Sequence, residues 1–257
     1  MTGRWAAAQE RLQLQELWKC CFGDGYEVSG AFFDAFPPET HTRVISIESR
    51  VAAMVSWMPV TVCSDSAELP GAYIYAVATD PQYRGRGLCT ALMRETEEIA
   101  FSQGAEFAAL WPASASLFGF YGAMGYLPAF GAKTLRALPI GDALALTELS
   151  PEEYRHLREA YVPKPFCRWD DAAFSYLAGT AVRFFRFPGG CGAYFPLPDG
   201  GIRVPELLGA KPEDFCSGLC APYGIVTIPD KEENQGMLKW RGAPKTLPGV
   251  YLGFAFD

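Results

Sequence analysis

At 257 residues, with 49% hydrophobic and 20% charged side chains, the chain is long enough to bury a sizeable core, too long for one minimal α/β unit and too short for three domains. Its formal net charge of −7 opposes binding to nucleic acid or an anionic membrane surface, so neither is expected as a partner and its arginines must act locally. Eight cysteines without a Cys-x-x-Cys pair, and only two histidines, argue against a zinc framework. No metal is expected. An N-terminus rich in Glu and Gln, without a basic start and apolar run, makes reduced thiols and a cytoplasmic location the expectation.

Leu12, Leu14, Leu17, Trp18 and Cys21 recur at roughly helical spacing within Trp5 to Phe22, and Gly23-Asp24-Gly25 ends that helix. A second short helix fits Tyr26 to Phe36, before Pro37-Pro38. Arg43 to Glu48 and Val51 to Val62 read as an antiparallel pair joined at Ser49-Arg50, with Met54, Trp57 and Met58 as core. Ala72 to Ala78 is an apolar, β-favouring run closed by Asp80-Pro81, which reads as a strand buried on both faces.

The next turn, Arg84-Gly85-Arg86-Gly87, is rich in glycine and positive charge, and it leads into a helical pattern: Leu88, Ala91, Leu92, Ile99 and Ala100, stopped at Gly104. Strand, Gly/Arg turn and helix form a phosphate cradle, because glycines let backbone N–H groups converge on an anion at the positive end of a helix dipole. A Walker loop is excluded, since no Gly-Lys-Ser/Thr follows. A dinucleotide-binding oxidoreductase stays open through Gly85-x-Gly87-x-x-Thr90, although the third small residue is missing and Glu106 precedes the next apolar run.

Glu106 to Trp111 reads as the next strand and Ser114 to Met124 as a short helix. Residues Phe107 to Ala132 carry no charge, yet Pro112, Gly119, Gly122, Gly125, Pro128 and Gly131 interrupt them, so they read as core and not as a membrane span. Gly131 to Leu138 fits a last strand of the first lobe, and Pro139 to Asp142 a connection. Ser150-Pro151-Glu152-Glu153 is a cap-like helix start. A helix over Asp170 to Ala178 and strands over Val182 to Phe187, Ala193 to Leu197 and Gly201 to Leu208 come next. Pro212 to Cys220 offers a helix, and Ile225 to Ile228, Met237 to Trp240 and Val250 to Phe256 offer strands. Element order repeats that of the first half without a residue-level repeat.

Two motifs then carry a family resemblance. Arg84-x-x-Gly87-x-Cys89, in the setting Val77-x-x-x-Pro81-x-x-Arg84-Gly85-Arg86-Gly87, resembles the Arg/Gln-x-x-Gly-x-Gly/Ala motif of the GNAT superfamily of acyl-CoA-dependent N-acyltransferases, with Cys89 as a departure at the last small position. Tyr121-x-x-x-Gly125-Tyr126 resembles the end of the same superfamily's second cofactor motif, with Ser114 where many relatives carry Asn. The resemblance implies an α/β (α+β) fold: a mixed central sheet of the acyl-CoA N-acyltransferase type, followed by a second, smaller GNAT-like α/β lobe. Residues 1–138 would be the catalytic lobe and 139–257 a degenerate one that does not bind CoA, its loop Gly209-Ala210-Lys211-Pro212 lacking the motif. A lipid-carrier-like second lobe is the alternative.

The implied activity is transfer of an acyl group, foremost from acetyl-CoA as co-substrate, to a primary amine on a small molecule or peptide. The resemblance places the backbone of Val77 and Thr79 on pantetheine, and Arg84, Gly85, Arg86, Gly87, Leu88, Cys89 and Thr90 on the pyrophosphate. It adds Ser114 and Phe118 to the cofactor contacts and makes Tyr121 the acid that protonates the departing thiolate. Many relatives hold a carboxylate base on the strand before the loop, and Ala72 to Ala78 has none. Glu39, Glu48, Glu68, Glu206 and the C-terminal carboxylate of Asp257 are unranked substitutes. That gap keeps a non-catalytic acyl-CoA-binding sensor as the second reading, and homo-oligomerisation stays open.

Overall fold

A computed structural model describes residues 2–245, 249–254 and 256. The first half runs β1 (Arg4–Trp5), α1 (Arg11–Phe22), α2 (Tyr26–Ala35), α3 (Pro38–His41), β2 (Thr42–Ile47), β3 (Arg50–Cys63), β4 (Glu68–Thr79), α4 (Leu88–Ser102), β5 (Phe107–Leu110), α5 (Ala115–Gly122) and β6 (Leu127–Ala137). The second runs β7 (Thr147–Leu149), α6 (Pro151–Arg158), β8 (Phe166–Trp169), α7 (Asp171–Gly179), β9 (Arg183–Phe187), β10 (Gly190–Pro196), β11 (Ile202–Leu208), α8 (Pro212–Gly218) and β12 (Gly224–Trp240). The fold is α/β with a central mixed sheet.

The halves repeat each other in topology. In the first, β2, β3 and β4 form an antiparallel meander, and α4 crosses over to β5, which is parallel to β4. In the second, β9, β10 and β11 form the meander, and α8 crosses over to β12, parallel to β11. Each meander gains a short antiparallel edge strand from the start of its half, β1 on β2 and β7 on β9. The edge of the first meander is thus filled by two residues, Arg4 and Trp5.

One sheet joins the two copies. β12 is a single long strand where the sequence offered two short ones: its first part pairs with β11, Met237 to Trp240 pair with β5, and β6 runs alongside most of its length. A strand from the second half thus lies between β5 and β6 of the first. β8, which sequence patterning missed, pairs with the outer part of β3, and Val250 and Tyr251 make single bridges in place of the strand expected there.

Aromatic packing holds the helices to this sheet. Trp18, Phe32 and Phe33 are buried, with ring centroids 5.4 and 5.9 Å from Trp18, and the same cluster takes in Tyr73, Trp169, Tyr176 and Phe254 from both halves. Each such ring contributes roughly 1.5–3 kcal/mol by leaving water. On the opposite side α4 and α5 seat Leu88, Leu92, Met93 and Tyr121 against Ile45, Val55 and Ile74. Among the described residues no helix is long and apolar enough to cross a membrane.

Candidate active site

The site begins with a fault in β4. Met54 pairs with Ala78 and Ser56 with Tyr75, so Ala76 and Val77 together oppose Val55. This is a β-bulge, and Ala76 accepts a left-handed φ of 48° to form it. β5 pairs with β4 only at Gly71, Ala72 and Tyr73, so beyond Tyr73 the two strands part. Ile74 to Val77 therefore have no ladder to β5, and Tyr75 and Val77 are half-buried where the sequence predicted two buried faces.

Past Thr79 the chain makes a short 3₁₀ turn over Pro81–Tyr83, capped by the Asp80 carboxylate, which accepts from the Gln82 N–H at 2.9 Å. Gly85 and Gly87 follow at φ 75° and 74°, and Gly87 is the N-cap of α4. Nothing lies within 4 Å of where a Cβ would stand on either glycine. The requirement for glycine is thus one of conformation together with open space in front of the backbone. Leu88 is buried and anchors the helix start, Cys89 and Thr90 are half-buried, and the first-turn N–H groups have no carbonyl behind them within the helix. Burial pushes the Cys89 thiol up to about 11.

The two arginines of the turn are engaged locally. Arg84 donates from Nε to the Thr79 carbonyl at 3.1 Å and from Nη2 to Cys21 Sγ at 3.8 Å, while the Arg86 guanidinium lies over the Tyr83 ring at 5.1 Å. The Thr79 carbonyl also accepts from the Cys21 thiol at 3.6 Å. Val77, by contrast, faces a cavity.

That cavity, of about 440 Å³, fills the gap between the parted strands and reaches from Val77 and Leu110 to Leu117 and Tyr121. Tyr121, on α5, is 7% exposed, and its ring packs edge-on to Phe120 and Tyr126. No hydrogen bond to its hydroxyl occurs among the described residues. Burial raises its phenol well above the ordinary value, with the nearby Cys89 adding to the effect, so it is a proton donor at neutral pH. Phe118 packs half-buried in the same cluster, whereas the exposed Ser114 hydroxyl bonds Ser116 at 2.9 Å. A second cavity of about 230 Å³ shares Asp24, Tyr75, Trp111 and Phe256 with the first and continues toward Tyr176, Phe195 and Arg203 in the second half.

None of the described carboxylates that the sequence nominated as a base lines either cavity. Glu206 is fully buried, bidentate to Arg158 at 2.7 and 3.0 Å, and accepts from the Tyr154 hydroxyl at 3.0 Å. Glu68 pairs with Arg168 at 2.6 Å. Glu39 and Glu48 are exposed on α3 and the β2–β3 turn, and Asp257 lies outside the described residues. Asp24, which sequence reasoning treated only as part of a helix stop, does line both cavities. The one signal for it was its place between two glycines. No group of metal-ligating side chains occurs among the described residues.

Residues 4–129 match the family described as an acetyltransferase (GNAT) domain. Among solved structures the chain is similar to a GCN5-related N-acetyltransferase from Anabaena variabilis ATCC 29413, at 18% identity and TM-score 0.71, over 92% of this chain and 72% of that one. It is also similar to a conserved protein of Enterococcus faecalis V583, at 16% identity and TM-score 0.73, over 93% and 73%. A GCN5-related N-acetyltransferase from Kribbella flavida matches at 17% identity and TM-score 0.68, over 93% and 70%. At these identities the likeness is one of fold, and it extends across both halves of the chain. No curated protein matches the sequence.

Proposed function

We propose, on the premise that this chain belongs to the GNAT acetyltransferases through residues 4–129, that it transfers the acetyl group of acetyl-CoA to a primary amine by direct attack. One observation carries the reading: the parted strands β4 and β5 open a cavity with the unpartnered Tyr121 hydroxyl on its wall, next to the glycine turn that caps α4. Backbone N–H groups at Gly85 to Thr90 receive the pyrophosphate, supported by the helix dipole. Arg84 and Arg86 swing from their local contacts to add charge. The β5-facing backbone around Val77 pairs with pantetheine amides, which leaves the thioester near Tyr121.

In the reaction, negative charge appears first on the carbonyl oxygen and then on the sulfur. A backbone N–H of the bulge answers the first and the Tyr121 O–H the second. Because burial keeps that phenol protonated, it can donate throughout the physiological range. The second half is a degenerate GNAT-like lobe: it repeats the topology, but its equivalent loop ends in a seven-residue helix, α8, with Pro212 at its first position and no Gly/Arg motif. Its part is to wall the acceptor end of the cavity. Eight free thiols agree with a cytoplasmic setting.

A thiol-release assay with acetyl-CoA and a panel of amines tests this directly. Amine-dependent release of CoA is expected. CoA binding with no release for any amine would favour the sensor reading, which the absence of a carboxylate from Ala72 to Ala78 of β4 supports.

A further inference from the structure

Asp24 sits in a turn fixed from both sides. Gly23, at φ 83°, ends α1, and Gly25 is the N-cap of α2. Its Oδ2 accepts from Trp18 Nε1 at 2.8 Å, and Trp18 is itself 1% exposed, so the carboxylate is held on a rigid support. No hydrogen bond to Oδ1 occurs among the described residues. The hydroxyls nearest in the cavity are committed: Tyr75 donates to the Phe256 carbonyl at 2.7 Å and so accepts from Tyr176 at 2.9 Å. Neither O–H is left to satisfy Asp24. A half-buried carboxylate with one open oxygen therefore faces a cavity rich in aromatic side chains, and the open oxygen is free to accept from an N–H that a ligand would bring.

Building on the acyl-transfer reading above, we propose that Asp24 binds the acceptor's ammonium and takes its first proton, and that the acceptor is a compact primary amine with one positive charge on an apolar or aromatic body. The rings of Tyr75, Trp111, Tyr176 and Phe195 suit such a body, and their faces favour a cation beside the carboxylate. A polyamine or aminoglycoside would bring further ammonium groups to a lining whose one carboxylate among the described residues is Asp24, leaving them desolvated against rings. The protons balance. Asp24 takes one from R–NH₃⁺ and holds it while the amine lone pair forms the N–C bond at the thioester carbonyl, then releases it to water. As the C–S bond breaks, its electron pair leaves on sulfur and receives the Tyr121 proton. The second nitrogen proton then restores the Tyr121 phenol. The products are the amide, CoA thiol and one proton.

The test compares phenethylamine with spermidine in the thiol-release assay, for the wild type, Asp24→Asn and Asp24→Glu. Asn retains an oxygen for Trp18 Nε1, and Glu restores the charge should Asn perturb the turn. Phenethylamine should exceed spermidine in kcat/KM by about tenfold or more, and Asp24→Asn should lower it by roughly 10²-fold, the scale of a lost proton acceptor. Among the described residues, the groups that share these cavities with Asp24 and also titrate or carry charge are Tyr73, Tyr75, Tyr121, Tyr176, Tyr251, Cys21 and Arg203. In the Asn variant, kcat/KM should rise by about tenfold per pH unit between 6 and 9, following the free-amine fraction alone. The wild type and the Glu variant should show a flatter profile. Equal use of spermidine, or an Asn variant with wild-type kcat/KM and profile, overturns the inference while acyl transfer stands. If no amine releases thiol, acyl transfer fails, and tryptophan-fluorescence titration with phenethylammonium decides the anchor. Asp24-dependent binding then supports it, and binding indifferent to the substitution overturns it.

Discussion

The Tyr75 hydroxyl donates to the Phe256 carbonyl at 2.7 Å, fastening a residue of the second half to the strand that leads into the glycine turn. Tyr75 is the residue just before the Ala76 bulge, so the same side chain that lines the proposed acceptor cavity sits beside the parted strands. Tyr75→Phe leaves the Phe256 carbonyl and the Tyr176 hydroxyl without that partner. Stability should fall by about 1–3 kcal/mol. Because the contact lies at the acceptor end, KM for the amine should rise while CoA affinity, read by calorimetry, stays within about twofold. An unchanged melting temperature together with an unchanged KM would show that the contact does not shape the cavity.

Gly87 stands at φ 74° with open space around its missing Cβ. Aspartate tolerates the left-handed region better than most residues, so Gly87→Asp should fold. It would set a carboxylate against the incoming pyrophosphate, and like charges about 5 Å apart repel by roughly 3 kcal/mol at an effective dielectric of 20. CoA affinity should drop by about 100-fold or more. Wild-type affinity in the folded variant would move the pyrophosphate elsewhere.

Glu206 shows why a carboxylate nominated from sequence needs its surroundings. It is fully buried and holds Arg158 and Tyr154 between the helix and strands of the second half. Glu206→Ala would leave the Arg158 charge buried and unpaired, at a cost of about 3–5 kcal/mol. The expected result is a large fall in melting temperature, with kcat unchanged in whatever fraction stays folded. A stable Glu206→Ala with reduced kcat would reopen its candidacy as a base.

Most elements were legible because apolar periodicity and glycine stops are local signals. α1, α2 and α4 start or end within a few residues of the positions set by Gly23, Pro37 and Gly87. What stayed hidden depends on distant partners. Nothing in Met237 to Trp240 marks it as the strand between β5 and β6, and nothing in Phe166 to Trp169 marks a partner for β3. The bulge at Ala76 was equally silent, since alanine is not a residue that advertises a left-handed φ. The motif residues were legible in order but not in posture: Arg84 folds back onto Thr79 and Cys21, and Ser114 bonds Ser116. Asp24 was missed because its meaning lies in what Trp18, Tyr75 and Tyr176 build around it.

Cys89 occupies the last small position of the turn, half-buried, with its thiol pushed up to about 11 by burial. At pH 8 that leaves a thiolate fraction of about 10⁻³, and the thiolate is the reactive form. Iodoacetamide at pH 8 should therefore modify the exposed Cys20 and Cys220 well before Cys89, and the modified protein should keep its CoA affinity. Peptide mapping by mass spectrometry gives the order. Early labelling of Cys89 would mean that the turn opens far more readily than its packing implies.

Tyr121→Phe separates binding from chemistry at one oxygen. The ring that packs on Phe120 and Tyr126 is kept, and no hydrogen bond to the hydroxyl is lost among the described residues, so stability and CoA affinity should hardly change. On the proposed mechanism, what disappears is the proton for the sulfur, so kcat should fall by roughly 10²–10⁴-fold at similar KM. The sign of the pH effect follows from the raised phenol. A tyrosine held above its ordinary value stays protonated as pH climbs to 9, so wild-type activity should show no alkaline loss from this group below about pH 10. Linkage runs the same way: the stability gained from the buried neutral phenol is complete below its unfolded pKa of about 10 and is lost only as pH rises toward the folded value. Rate profiles from pH 6 to 10 and melting curves at pH 8 and 11 check both statements. Full turnover by Tyr121→Phe with a good acceptor would make this residue part of the packing alone, with the sulfur protonated by water or another group.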